Sequence, residues 1–158
     1  MAVVKSRIMI DKAYMLEALK EARKAFEEDE VPVGAVIVHE GKVIARAHNE
    51  VERLKDPTAH AEMLALTSAT NYLGIKWLNG ASLYVTIEPC SMCAGALVLA
   101  RIKHIYFGAK DPKTGACGSV LNIAHHQKLN HRVKVIGGIA AQECGAMLKE
   151  FFSRKRTK

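Results

Sequence analysis

The stretch from Ser82 to Phe107 constrains this chain most. Ser82–Ile87 (Ser-Leu-Tyr-Val-Thr-Ile) reads as a strand and Lys103–Phe107 as another. Between them Ser91–Ala100 is small and apolar, as a helix packed closely on a sheet must be. A parallel pair of strands needs a helical crossover of this kind. Where the first strand hands over to the helix stands Pro89-Cys90-Ser91-Met92-Cys93. Two Cys three positions apart can turn both sulfurs toward one point, and a helix N-terminus lowers thiol pKa toward the thiolate that a metal requires. The segment alone is open to three readings: a metal-ligand pair, a redox pair, or two thiols in a core.

The rest of the chain alternates in the same way. Met9–Glu28 reads as an amphipathic helix through Tyr14, Met15, Ala18, Leu19, Ala22, Ala25 and Phe26. Val33–Val38 and Val43–Ala47 form a hairpin around the turn His39-Glu40-Gly41-Lys42. Asn49–Thr58 is polar, and Asp56-Pro57-Thr58 is shaped for a turn or a helix start. His60–Tyr72 has helical periodicity, and it offers a second crossover. Asp111–Asn130 is Gly-rich and polar, Val133–Ile136 reads as a short last strand, and Ala141–Arg156 as an amphipathic helix with a basic end. An opening hairpin followed by alternating strands and helices predicts a layered α/β domain.

At 158 residues the expectation is one domain over 1–158, ending in a basic tail at about 153–158. A domain of this size buries about 68–70% of its unfolded surface, so it needs neither disulfides nor metal to hold its core. A metal-ligand set therefore asks for a functional explanation. The 23 Lys+Arg against 16 Asp+Glu give a formal charge of +7, which suits a phosphate-bearing partner and equally suits plain solubility. Met1–Ile10 lacks the long apolar run of a secretory leader, and no stretch approaches the roughly 18 apolar residues of a membrane span. Reduced thiols in the cytoplasm are the expectation for Cys90, Cys93, Cys117 and Cys144.

His60-Ala61-Glu62 opens the second crossover helix. Alone, the pair reads as readily as a helix-start feature, because a carboxylate near an N-terminus is favoured by the dipole. Taken with Cys90 and Cys93 it is more specific. One imidazole and two thiolates make three protein ligands, and three leave the fourth tetrahedral position for water, whereas structural sites are closed by four. Cys117 or Cys144 could fold nearby as a fourth ligand, although neither has a ligand-like spacing. The donor set suits zinc best, with iron second. Glu62 need not ligate. A carboxylate beside the metal's water can take its proton and pass it to a departing nitrogen, as hydrolytic deamination of a base requires.

His60-Ala-Glu62 with Pro89-Cys90-x-x-Cys93 resembles the signature of the cytidine deaminase superfamily. Longer stretches resemble the bacterial tRNA adenosine deaminases within it: Glu30-Val-Pro-Val-Gly-Ala-Val-Ile-Val, Asp56-Pro-Thr-Ala-His-Ala-Glu-Met, Glu88-Pro-Cys-Ser-Met-Cys-Ala-Gly-Ala, Phe107-Gly-Ala-Lys-Asp-Pro-Lys-Thr-Gly and Leu129-Asn-His-Arg-Val. The resemblance runs from about residue 9 to 156. It implies a three-layer α/β/α domain with a mixed five-stranded sheet. It also implies a homodimer and conversion of adenosine to inosine at the first anticodon position of a tRNA, an arginine tRNA in that family. One Zn2+ per subunit would sit on His60, Cys90 and Cys93, with Glu62 as proton shuttle. Asn49 would hydrogen-bond the flipped adenine. Asp111, Lys113 and Thr114 would lie beside the anticodon nucleotides of the stem-loop, and Phe151, Phe152 and Arg154 would contact the loop, since aromatics stack on splayed bases and cations meet phosphates.

Each of those residues has a plainer reading beside it. Asn49 and Asp111-Pro112 suit turns, the two Phe suit core packing, and the tail suits a frayed end. The family has a basic residue sooner after the Asn than Glu50-Val51-Glu52-Arg53 provides, and Cys117 stands where an Ala is expected, as a small core substitute. His125, His126 and His131 match the family without an assigned role. Two other functions share these features. A deaminase of free bases or nucleosides would use the same metal set without the basic tail. A zinc-stabilised RNA-binding module would close the site and have no use for Glu62.

Overall fold

The alternation expected from the sequence is the one that forms. The computed structural model describes residues 1–157. Helix α1 (Ala2–Glu27) precedes the hairpin of β1 (Gly34–His39) and β2 (Lys42–His48); a short α2 (Val51–Leu54) and α3 (Ala61–Leu73) follow. Then come β3 (Ser82–Ile87), α4 (Ser91–Leu99), β4 (His104–Ala109), β5 (Lys134–Ile136) and α5 (Ala141–Thr157). The sheet runs β2-β1-β3-β4-β5. β1 is antiparallel to both β2 and β3, whereas β3–β4 and β4–β5 are parallel. The five-stranded sheet is therefore mixed, as expected. α4 carries the crossover between β3 and β4, and α3 carries the chain over β1 from β2 to β3.

Alternate residues of the central strands feed two separate cores, because successive strand side chains point to opposite faces. Ala35, Ile37, Leu83, Val85 and Ile105 pack with Ala61, Ala65, Leu66 and Leu97 of α3 and α4. Val36, Val38, Tyr84 and Tyr106 pack with Met15, Leu19 and Phe26 of α1 and with Met147 and Phe151 of α5. Helices thus cover both faces, giving three layers. The α1 layer sits very close: a Cβ at Gly34 would overlap the Ala18 carbonyl and the Ala22 amide.

Three local expectations need correction. α1 starts at Ala2, not Met9, because its first turns continue the helical hydrogen bonding without burying an apolar face; Val3 is 81% exposed. Periodicity reports burial, so it is silent there. α2 lies inside the polar stretch after Asn49, and its single turn is too short to show a period. The weak helical character of Asp111–Asn130 yields no helix; turns and the isolated bridge Cys117↔Asn122 shape that loop instead. The His residues of the region tie it down. The His125 ring bonds the Val133 carbonyl (3.1 Å), the His131 ring bonds the Ile102 carbonyl (2.6 Å), and His126 accepts from the Lys128 amide (3.1 Å). The tail expected at 153–158 is the last part of α5 as far as residue 157, and Lys158 lies outside the described residues. Among the described residues no helix is long and apolar enough to cross a membrane.

Candidate active site

In open α/β sheets the crevice beyond the carboxyl ends of parallel strands is where ligands bind. Here β3 ends at Ile87 and runs through Glu88-Pro89 into Cys90, while β4 ends at Ala109 and runs into Asp111. Two helix starts converge on that edge. His60 is the N-cap of α3 and Cys90 the N-cap of α4, both with extended backbone (φ −73°, ψ 150° and φ −74°, ψ 177°). The Asp56 carboxylate fixes the approach to α3 by accepting from the Thr58 amide (2.8 Å) and hydroxyl (2.7 Å), the turn anticipated at Asp56-Pro57-Thr58.

The result is one cluster. His60 Nδ1 lies 3.6 Å from Cys90 Sγ and 3.5 Å from Cys93 Sγ, and the three ligand atoms are all within 4.8 Å of one another. They could hold a metal ion. Cys117 and Cys144 stand outside the cluster as free thiols, and burial pushes each up to about 12, which marks them as inert packing groups. The two site thiols are not equivalent. Hydrogen bonds from Cys93 and His60 pull Cys90 down to about 4, whereas Cys93, donating to Cys90 and buried, is pushed up. His60 is held above its usual value by its bond to Cys90. A bound cation favours thiolates at both positions.

Glu62 stands beside this cluster and is only 3% exposed. Burial raises its pKa above the ordinary carboxylate range. It lines, with His60 and Cys90, a cavity of about 1220 Å³ that also takes in Asn49, Asp111, Lys113, Thr114, Phe151 and Phe152. Every site residue anticipated from the sequence reaches this cluster or its cavity except Arg154. That guanidinium stacks over the Phe26 ring at 4.8 Å and pairs with Glu150 at 3.4 Å; the cation of the C-terminal helix that lines the cavity is Lys155.

The remaining residues have defined supports. Asn49 is buried at the end of β2, its amide donating to the Val33 carbonyl (3.0 Å). The Asp111 carboxylate accepts from the Lys113 and Thr114 amides and from the Thr114 hydroxyl (3.0, 3.2 and 2.6 Å), so it builds the loop that presents those two residues. The two Phe divide. Phe151 is 5% exposed and set edge-on to Phe26, whereas Phe152 is 46% exposed at the cavity. A second cavity, of about 810 Å³, lies against β4 and β5 near His125 and Lys134 and reaches none of the cluster.

Sequence reasoning missed two residues. Glu30 and Glu88 are 1% and 2% exposed and both line the main cavity; the Glu30 carboxylate accepts backbone amides of α2, and that of Glu88 accepts amides of the loop after β4. Their signal was present: each begins a conspicuous motif, Glu30-Val-Pro-Val-Gly and Glu88-Pro-Cys, and a charged residue opening an apolar strand or a metal loop asks what holds it.

The chain as a whole is similar to known proteins. The MafB19-like deaminase family matches residues 9–156. A tRNA-specific adenosine deaminase of Bacillus subtilis is 51% identical over 148 residues, covering 94% of this chain and 92% of that protein. One from Aquifex aeolicus is 54% identical over 146 residues, covering 92% and 96%. A solved structure from studies of A-to-I editing by tRNA:A34 deaminases at the wobble position of transfer RNA superposes with a TM-score of 0.83 at 47% identity, over 85% of this chain and 98% of that one.

Proposed function

The chain belongs to the MafB19-like deaminases and, among them, to the tRNA-specific adenosine deaminases, and from that premise we propose that it hydrolyses adenosine to inosine at the wobble position of a tRNA, an arginine tRNA being the substrate. The observation that carries the reading is the His60–Cys90–Cys93 cluster opening, beside a buried Glu62, into one cavity. The cavity, of about 1220 Å³, runs on from the cluster to Lys113, Thr114, Phe152 and Lys155, residue types suited to nucleotides beside the reacting base.

The cluster fits zinc. A tetrahedral Zn²⁺ with bonds of about 2.3 Å to sulfur and about 2.0–2.1 Å to imidazole nitrogen separates N from S by about 3.5–3.6 Å. The two N···S separations are 3.5 and 3.6 Å. When bound, zinc lowers the pKa of a coordinated water toward about 7. The chain's own residues do the rest. Glu62, in a site dry enough to raise its proton affinity, accepts one proton from the attacking water and passes it to the ring nitrogen beside the reacting carbon, then moves the proton of the added hydroxyl to the amine nitrogen, so water and adenosine become inosine and ammonia. The Asn49 side-chain amide offers a donor and an acceptor to the purine edge. The loop of Lys113 and Thr114 flanks the neighbouring nucleotides, and Phe152 offers a ring face to a splayed base, with Lys155 toward phosphate at the cavity and Arg154, held over Phe26 outside it, toward phosphates beyond. Phe151 supports that ring from the core: the two are 5.4 Å apart, edge to face.

We further propose a homodimer working in the cytoplasm. Exposed Leu99, Val120 and Leu121 are apolar surface suited to a second copy, and four free thiols suit a reducing compartment. The test of the function is inosine formation by zinc-loaded protein in a short hairpin RNA carrying adenosine at the first anticodon position, with free adenosine, guanine and cytidine in parallel. Inosine in the hairpin alone is expected. Product from a free base or nucleoside alone would overturn the RNA substrate.

A further inference from the structure

Glu88 does not ligate in the cluster and is not the proton shuttle, yet it is almost completely buried at the cavity wall. Its carboxylate is saturated. Oε1 accepts from the Asp111 amide (3.2 Å) and from the Ser119 hydroxyl, and Oε2 accepts from the amides of Cys117 (3.0 Å) and Ser119 (3.1 Å). All the donors belong to the loop that carries Lys113 and Thr114. The backbone repeats the attachment: the Ala116 amide donates to the Pro89 carbonyl (2.8 Å), and Cys90 bridges to Gly115. Gly115 admits no side chain, because a Cβ there would collide with the Glu88 carboxylate and the Asp111 carbonyl. One carboxylate, two residues before a cluster thiol, thus clamps the substrate-side loop to the metal-side loop.

We propose that Glu88 is a positioning residue for the polynucleotide: it holds the Asp111–Thr114 wall where the nucleotides next to the reacting base must pass, and so governs capture of the RNA more than the chemical step. This rests on the proposed RNA substrate. The donors on Glu88 are loop amides and one hydroxyl, so losing it releases the wall. The cluster's spacing has its own support, since the Ala94 amide closes the first turn of α4 on the Cys90 carbonyl (2.8 Å) and α3 does the same through Leu64 and His60 (3.1 Å).

The experiment uses full-length, zinc-loaded parent, Glu88→Gln and Ser119→Ala on the anticodon hairpin RNA, with metal content and amide hydrogen exchange measured on the same samples. A charge-assisted clamp lost to an amide that cannot accept at both oxygens is expected to raise KM by about tenfold while kcat changes by less than about threefold. Ser119→Ala, which removes one donor from an exposed residue, moves KM the same way by a smaller factor and covers the case in which Glu88→Gln does not fold. The amides of Asp111, Cys117 and Ser119 lose protection while metal content holds. An equal fall in kcat, loss of metal, or KM and protection unchanged in both variants overturns the proposal. If the parent makes no inosine in the hairpin, the RNA reading fails by itself. Exchange then still decides the clamp: unchanged protection at the three amides overturns it, and lost protection with retained metal upholds it.

Discussion

Replacing Glu62 by Gln separates its chemistry from its packing. The side chain is 3% exposed and nearly isosteric with Gln, so the cavity and the His60–Cys90–Cys93 spacing survive the change. What disappears is a base. General acid–base catalysis is worth about 10²- to 10⁴-fold, and one carboxylate here serves both the attacking water and the leaving nitrogen, which places the loss at the upper end. A fall in kcat of about 10⁴-fold, about 5 kcal/mol at 1.36 kcal/mol per decade, is expected. The assay is single-turnover inosine formation in the anticodon hairpin, with zinc content and hairpin affinity measured on the same protein. Both of the latter should stay within about twofold of the parent. A second readout comes from stability. Burial raises the folded pKa of Glu62 above its unfolded value. The stability tied to its protonated form is therefore full below the unfolded pKa and lost as pH rises through the folded one. Metal-free Glu62→Gln should melt higher than metal-free parent near pH 7 and no higher near pH 4. A variant that still turns over within about tenfold of the parent would refute the shuttle assignment.

Three further outcomes follow from the same geometry. In metal-free protein near pH 6, iodoacetamide should modify Cys90, whose thiol falls to about 4, ahead of Cys117 and Cys144 at about 12; mass spectrometry reads the order, bound zinc should suppress it, and equal labelling would contradict the assignment. Phe151→Ala should cost about 3–5 kcal/mol of stability in denaturant titration, because the ring is core. Phe152→Ala should leave stability nearly intact and weaken hairpin binding by about 1–3 kcal/mol, as loss of one stacked base does. Removing residues 153–158, with Arg154, Lys155 and Arg156, should weaken hairpin binding most at low salt and lower the slope of log affinity against log salt by about 0.7 for each phosphate left without its cation; an unchanged slope would take the tail out of the interface.

The parts of the fold that bury a face are legible in sequence. Ser82–Ile87 is legible to the residue, and a helix read over Ser91–Ala100 ends one residue late, because both elements alternate or pack against the sheet. The first two turns of α1 and the single turn of α2 are not legible, since neither presents a period of buried side chains. The site divides along the same line. Residue type and spacing pick out His60, Glu62, Cys90 and Cys93, the residues brought together at the two helix starts. Whether a residue of the last helix faces the cavity or the core depends on the rotation of α5. Pattern alone does not order Phe151 against Phe152, or Arg154 against Lys155. Glu30 and Glu88 can be noticed as charged residues that open conspicuous motifs, but their role is not legible: apart from the Ser119 hydroxyl on Glu88, their partners are backbone amides, and an amide donor has no signature in sequence.

Those buried carboxylates bear on a difficulty that the charge raises. A formal +7 suits an RNA partner, yet the cavity mouth is not a bare basic surface. Glu50 follows Asn49 where a cation is expected, and it is occupied: its carboxylate bonds Arg53 at 2.7 and 3.0 Å. Lys155 pairs with Asp29 at 2.7 Å. Both cations line the cavity, and each is already held by an acid. Exposed pairs of this kind are worth about 0–1 kcal/mol, so a phosphate can exchange for the carboxylate at little cost. The paired acid meanwhile keeps each long side chain oriented before RNA arrives, which reduces what must be ordered on binding. Glu30 fixes the Arg53 end of the mouth by accepting the Glu52 and Arg53 amides (2.6 and 3.4 Å), as Glu88 fixes the opposite wall. On the proposed RNA reading, local affinity at this mouth therefore depends less on net charge than on α2 and the loop after β4, each kept in place by a carboxylate that is almost fully buried.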